Sequence, residues 1–396
     1  MKNSTIFISL IVAMLSCSLW DKNAPKELET IKIDVDKSTK TKDISTWIDT
    51  SYYEIVPLET KPNCLIGEIK KIWVRGNKIL VYDEMAKGIY VFNRDGSYHG
   101  CIIAVGNGPG QYPLPLNDVV VTDSHVYIFP PVSGKIFAYD FEGKFEKTID
   151  LNGTWGDTFF TWDEEVFNLI ASWSNSKRGA FQLHVLDTKN NCVNSIWPVN
   201  EDDLKNRRGW GLDNYYSLYN KRALVLVSTV DTIFEVSANK VFVPRYYADI
   251  RKKKLPRKIA CGNAYEALHY ATNNDCIKGI DKIEETSRYL FLMLGDSEKD
   301  YIVTYDKKKK EIESISNFFT IHAWGDIQCS LGQSSVIEND TLISWIPANI
   351  CMRWKENNFD SCNFNNKRFE DAYKKAINSI HTEEDNPVIF LIKFEK

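Results

Sequence analysis

Six segments of this chain follow one pattern: an apolar strand runs into a short polar turn, and in four of them the chain returns to an isoleucine nine residues past the first residue of the turn. The clearest copies are IYVFNRDGSYHGCI (Ile89 to Ile102), IFAYDFEGKFEKTI (Ile136 to Ile149), LHVLDTKNNCVNSI (Leu183 to Ile196) and IVTYDKKKKEIESI (Ile302 to Ile315), whose turns open on Asn93, Asp140, Asp187 and Asp306. The first three turns are spaced by 47 residues. Strand, tight turn, strand at that interval belongs to the blades of a β-propeller and not to a helical solenoid. Two looser copies, TIFEVSANKVFV with Ser237 at the turn and the terminal VIFLIKFEK with Lys393 there, bring the units to six. The fold class this predicts is all-β, a six-bladed β-propeller with short helical insertions.

The ends of the chain predict how the ring closes. Val388 to Phe394 aligns with the third strand of earlier repeats, and the chain stops where a fourth should follow. Tyr52 to Leu58 is a strand with nothing before it to pair with. Pairing the two completes the sixth blade and removes two open edges together. Pro57 suits an outermost strand, where one ladder donor is dispensable. Blade one is expected from IKKIWV, KILVYD and IYVFN, and blade two from VVVTD and VYIFP. Longer excursions fall at about 200–215, 247–281 and 355–386. In the last, Phe369, Ala372, Tyr373, Ala376, Ile377 and Ile380 recur at helical spacing, which predicts an amphipathic helix capping a face or edge of the ring.

Lys2 precedes an apolar stretch from Ile6 to Leu15, too short to span a bilayer and of signal-peptide length. Cys17 follows in the context Met14-Leu15-Ser16-Cys17, similar to a bacterial lipobox, although Met14 departs from the usual leucine. The alternative is a chance cysteine after an ordinary secretory signal. The domain reading is therefore a signal peptide at 1–16, a lipidated tether at 17–49 with a possible strand at Ile31 to Val35, and the propeller at 50–396. This places the protein outside the inner membrane, held to the cell envelope, at the outer membrane, by an N-terminal lipid. Eight cysteines remain after Cys17. Cys261 with Cys276 and Cys351 with Cys362 are the locally plausible disulfides, and buried free thiols are the expectation for most of the others.

Aromatic residues make up 13% of the chain, which suits stacked sheets, and the formal net charge of −4 argues against a dedicated nucleic-acid binder. The residues YEIVPLET (Tyr53 to Thr60), IGEIKKI (Ile66 to Ile72), VFNRDGSY (Val91 to Tyr98), GNGPGQY with Asp118, DTIFEV followed by PRYYAD (Asp231 to Asp249) and EEDNPVIFLIKF (Glu383 to Phe394) give the chain a family likeness. It resembles the six-bladed β-propeller lipoproteins of Bacteroidetes, which look like NHL-repeat propellers. The resemblance implies an envelope location. It carries no common activity, so no functional residue transfers with it.

Motifs with chemistry are sparse. Gly106-x-Gly108-x-Gly110 lacks the Lys-Ser/Thr of a P-loop and leads into a strand, so it is expected to be a blade-to-blade linker. The histidines show no metal-ligand spacing, and no cofactor is identified, while a calcium or zinc ion held in the central channel by several blades stays open. The candidate ligand residues are Arg207, Arg208 and Trp210 in RRGWG, with His322 and Trp324 in HAWG; Trp345 and Trp354 flank the last excursion. Exposed aromatic platforms stack on sugars or peptide side chains, whereas inter-blade packing is the plainer role for each tryptophan. Two functions follow. One is an envelope scaffold that binds a glycan, a peptide or a partner protein. The other is an NHL-like lyase or hydrolase with its site at the channel mouth.

Overall fold

A strand pair buries its faces only when other sheets stack against them, so hairpin repeats are stable as a closed stack. The computed structural model describes residues 28–171, 181–198, 215–226, 231–237, 242–260, 264–296, 298–325, 327–329, 331, 334–357, 359 and 363–395. Three strands come first: β1 (Glu29–Lys32), β2 (Thr39–Asp43) and β3 (Ile48–Pro57). Blade one is β4 (Ile69–Arg75), β5 (Lys78–Asp83), β6 (Gly88–Asn93) and β7 (Tyr98–Ile102). Blade two is β8 (Asp118–Val121), β9 (Val126–Phe129), β10 (Lys135–Tyr139) and β11 (Phe145–Asp150). Blade three is β12 (Thr158–Phe160), β13 (Val166–Ile170), β14 (Phe181–Asp187) and β15 (Cys192–Pro198). Blade four is β16 (Tyr215–Tyr219), β17 (Arg222–Leu226), β18 (Thr232–Ser237) and β19 (Phe242–Asp249). Blade five is β20 (Ile280–Glu285), β21 (Tyr289–Gly295), β22 (Asp300–Asp306) and β23 (Glu311–Ile321), with β24 (Ile327–Cys329) folded back on β23. Blade six is β25 (Ser335–Glu338), β26 (Thr341–Ile346), β27 (Val388–Phe394) and the returning β3. The described helices are α1 (Arg257–Ala260), α2 (Ala264–Asn273), α3 (Ala348–Glu356) and α4 (Lys367–Asn378).

The repeat is a register rule. Ile89 lies opposite Ile102, Ile136 opposite Ile149 and Leu183 opposite Ile196, so the nine-residue return places one apolar pair at the same level of each third hairpin. In blade five a bulge sets Ile315 opposite Val303 instead. The turns are held by the acids that open them: Asp140 accepts from the amides of Glu142 and Lys144, and Asp306 from those of Lys308 and Lys309. These are side-chain-capped turns of the kind Asp favours. Central strands such as β9 and β21 are buried at every position because both faces meet a neighbouring blade, while the outer β11 is largely exposed and buries only Ile149.

Closure occurs as expected, with Val388 opposite Pro57 and Ile392 opposite Tyr53, and Phe394 reaching Ile48. The helix at the last excursion also forms, as α4. The Asn366 side chain caps it by accepting from the Phe369 amide at 3.0 Å, and Phe369, Tyr373, Ala376 and Ile377 are buried. The linker at Gly106 is a packed connection: Gln111 folds back onto the Gly108 amide, and the buried Tyr112 donates to the Lys87 carbonyl at 2.8 Å.

The described part of the stretch assigned to a tether is folded. β1 lies parallel on β19 and β2 parallel on β23, each as a fifth strand, and Ile31, Ile33, Val35, Ile44 and Trp47 are buried. These strands are short and rich in Lys and Thr, and no hairpin turn announces them, which is why the sequence reads as a linker with one possible strand. Cys276 and Cys351 carry free thiols; Cys261 and Cys362 lie outside the described residues. A chain beginning at residue 38 is expected to melt below one beginning at residue 28, since Ile31, Ile33 and Val35 together bury apolar area at about 1.5–3 kcal/mol per side chain. Removal through Thr60 should abolish cooperative melting, because β27 then loses its outer partner and becomes an open edge. Equal calorimetric melting temperatures for the three chains would count against both statements.

Candidate functional site

Within each blade the first and third hairpins turn at one face of the ring, and the middle turns and blade-to-blade connections lie at the other. These are called here the hairpin face and the linker face. The segments carrying α1 and α2, between β19 and β20, and α3 and α4, between β26 and β27, both belong to the linker face. The first strands of neighbouring blades approach one another around the axis.

One side chain from each first strand, two to four residues before that strand ends, forms a polar set toward the axis: Lys71, Asp118, Thr158, Tyr216, Lys282 and Ser335. The buried Asp118 accepts from Lys71 Nζ at 2.5 Å, from the Phe159 amide at 3.2 Å and from the Thr158 hydroxyl. Lys71 also lies 5.6 Å from the ring centre of Tyr216 in blade four, directly across the ring. Lys282 donates to the Ser335 carbonyl at 2.5 Å and lies 3.1 Å from the buried Glu284, whose acid form is favoured by burial against the pull of Lys282. At the linker-face start of β20, the carboxylates of Asp281 and Asp300 converge on Gly295, where a Cβ would sit 3.2 and 3.1 Å from their oxygens. Burial, opposed by Lys278 and helped by Asp300, pushes the Asp281 carboxyl up to about 6. Among the described residues no group of three or more His, Cys, Asp or Glu converges as metal ligands.

The hairpin face is laced by ion pairs. Arg75 of blade one reaches Glu338 of blade six at 2.6 Å and the Val121 and Thr122 carbonyls of blade two at 2.8 and 3.1 Å. Glu285 takes both Arg222 at 2.6 Å and Lys307 at 2.5 Å. His125 of blade two has Glu146 at 2.6 Å on one ring nitrogen and Glu164 of blade three at 2.7 Å on the other. Both nitrogens donate only in the imidazolium. Burial works against that form, but the two carboxylates prevail and raise its pKa.

Of the expected ligand residues, His322 and Trp324 lie among the described ones. Arg207, Arg208, Trp210 and Cys17 lie outside the described residues. Trp324 is a core residue and not a platform: it is 1% exposed, stacks on Phe369 at 4.6 Å, and donates its ring N–H to the Thr50 carbonyl at 3.0 Å. Gly325 beside it has φ +110, and a Cβ there would lie 1.8 Å from the Asn363 carbonyl, so the turn is pressed against the chain leading into α4. His322 is exposed, with its backbone held by Asp43 and Asn365. Trp345 and Trp354 pack against cores.

The sequence reading missed the apolar part of the linker face. Met85 is 71% and Val132 65% exposed, and Leu65, Ile103, Val105 and Leu114 are exposed around them on the connections of blades one and two. The blade-one loops are held by buried Asp83, which accepts from the amides of Gly67, Glu68 and Met85 at 2.8–3.0 Å, and the Val132 turn by the Ser133 hydroxyl, which donates to the Pro130 carbonyl at 2.8 Å. Gly67 lies under Met85 and Gly88 under Ile103, with no room for a Cβ at either. Apolar residues directly after a strand end, as in YDEMAKG and FPPVSG, were the available signal.

A family model described as "Domain of unknown function (DUF4934)" matches residues 28–393. A search of curated proteins gives no match. Among solved structures, a Bacteroides fragilis protein described as exported superposes with a TM-score of 0.69 at 18% identity, over 93% of this chain and 100% of that one. A DUF4221 family member from Bacteroides vulgatus gives 0.50 at 11% identity, over 87% and 97%. These likenesses show a shared fold. No described helix is long and apolar enough to cross a membrane.

Two outcomes test the site. Lys71→Met, which leaves Asp118 buried without its cation, should cost about 3 kcal/mol in denaturant unfolding. For His125, a folded pKa above the unfolded value means that its contribution is complete below about pH 6.5 and lost as pH rises through the folded pKa. Wild-type stability should therefore fall over that interval, and His125→Gln should remove that part of the slope. An unchanged slope in the variant would dismiss the clamp.

Proposed function

Because the chain belongs to the DUF4934 family of domains of unknown function, and membership brings no activity with it, we propose from its surface that it is an exported, lipid-anchored scaffold of the cell envelope that binds a partner protein through the linker face of blades one and two. The observation that carries this reading is the exposure of Met85 and Val132 at the linker face, the Met85 loop being held by Asp83 and the Val132 turn by the Ser133 hydroxyl, which donates to the Pro130 carbonyl at 2.8 Å. Apolar side chains on rigid loops are kept exposed at the cost of solubility, and contiguous ones mark interfaces. A glycan surface would call for flat aromatic rings with polar groups beside them. Here the side chains are aliphatic, which favours a protein. Export and the anchor rest on the apolar stretch at Ile6 to Leu15 and on Cys17, and on the exported character of the structurally similar Bacteroides fragilis protein.

The experiment places a photo-crosslinking residue at Met85, at Val132 and, as a control on the hairpin face, at Lys308 in cells. A discrete protein adduct from the first two positions and none from Lys308 is expected, with Leu114→Lys removing it and leaving the melting temperature unchanged. Equal labelling at all three would refute the surface. Cys17→Ala should release the protein from the membrane fraction, and retention of the variant through high salt and carbonate would refute the anchor.

A further inference from the structure

The seams between blades are not sealed alike at their outer rims. Between blades four and five, Ile31, Ile33 and Val35 are buried against Tyr246, Ala248 and Ile250, and Ile312 is the one surrounding apolar residue left half-buried among those described. β1 achieves this as a parallel fifth strand, Glu29 opposite Tyr246 and Lys32 opposite Asp249. β2 repeats the arrangement on blade five, Thr39 opposite Ser316 and Asp43 opposite Thr320. Between blades three and four, by contrast, Ile196, Trp197 and Phe242 are only half-buried. Among the described residues, β15 has no strand beyond it.

β15 carries no charged side chain along its edge, and its one guard is Pro198 at its end. It reads Cys-Val-Asn-Ser-Ile-Trp-Pro from Cys192 to Pro198, with no charge, whereas the edge of blade two, β11, carries Glu146, Lys147 and Asp150. Charges on an edge discourage pairing with another chain, and a long uncharged edge invites it. At Trp197 the backbone takes φ 64, and its ring lies on Phe234 at 4.3 Å and Phe242 at 5.1 Å, with Phe234 and Phe242 themselves stacked at 4.7 Å. The edge therefore runs beside an aromatic wall.

We propose that β15 is a docking edge for an extended segment of a partner protein, which adds as a parallel fifth strand in the manner of β1 and inserts β-branched side chains at alternate positions into the rim between blades three and four. Backbone hydrogen bonds to the edge supply the affinity, and the half-buried side chains of Ile196 and Trp197 favour apolar residues at the alternating positions. The chain's own N-terminal strands show that outer edges of this propeller accept parallel partners and that Ile-x-Ile-x-Val fills such a rim. This surface is separate from the apolar loops of blades one and two, so either proposal can fail without the other.

The test uses the full chain and, as probe, a synthetic peptide with the sequence of residues 28–37, LETIKIDVDK. Amide hydrogen exchange is followed by mass spectrometry. Without peptide, residues 192–198 should exchange as fast as residues 145–150. With peptide they should slow by roughly tenfold while residues 145–150 do not change. Asn194→Lys, at an exposed position of β15, should weaken the peptide by roughly tenfold, and Glu146→Lys on β11 should not. Three results would overturn the proposal: β15 amides as protected as those of β14 in the free protein, no slowing at about 1 mM peptide, or equal slowing on β11 and β15.

Discussion

The backbone ladder between β3 and β27 is the interaction on which the rest of this structure depends. A stack of sheets that is not closed exposes one apolar face at each end, and no single blade can bury both of its faces alone. Joining the two ends of the chain in one sheet removes both exposed faces at once, and every inter-blade seam is then held by its neighbours on either side. Closure also decides where the residues before β3 can go. They lie against blades five and four, and the chain uses that stretch to add β2 and β1 to those blades as parallel strands.

Inside the ring, the first strands bring polar groups from six blades into little space. Burying a charge there is tolerable only with a partner, and the structure supplies one in each case described: Lys71 for Asp118, Lys282 for Glu284, Arg222 and Lys307 for Glu285. Two of these contacts, Lys71 with Asp118 and Arg222 with Glu285, cross from one blade to the next, so charge pairing ties neighbouring blades together as well as satisfying the acids. Arg75 does this at the hairpin face for blades six, one and two. The polar interior thus has a structural role that needs no ligand, and recognition is more readily assigned to the periphery.

How much of this was legible in the sequence depends on whether a feature is written in local spacing. The turn acids and the returning isoleucine were readable because hairpin register ties them to a fixed interval, and closure followed from a missing fourth strand. The helix at Phe369 was readable from its period. β2 was not, and β1 was legible only as a possible strand at Ile31 to Val35, because a parallel strand added at an edge has no turn beside it and its partner lies more than two hundred residues away. Trp324 was left between packing, its plainer role, and a ligand platform for a different reason. A tryptophan in a loop looks the same in sequence whether it stacks on Phe369 or faces water, and only the tertiary contact decides. The exposed Met85 and Val132 were passed over by the converse error, since apolar residues flanking strands are assumed to belong to the core.

The resulting molecule is asymmetric around its axis, and the asymmetry has a physical origin. Blades four, five and six receive β1, β2 with β24, and β3 with α4, so their outer edges are covered by the chain itself. Blades one to three receive no such cover among the described residues, and they also bear the apolar loops. A polypeptide that closes its ring with an N-terminal strand has covering segments only for the blades that this strand passes on its way in. Among the described residues, the half without such cover is the half that the N-terminal strands do not pass, and the proposed contacts with a second molecule lie there. Of its three edges, β11 is guarded by charge and β7 is short and interrupted by Gly100, while β15 is longer and has neither protection.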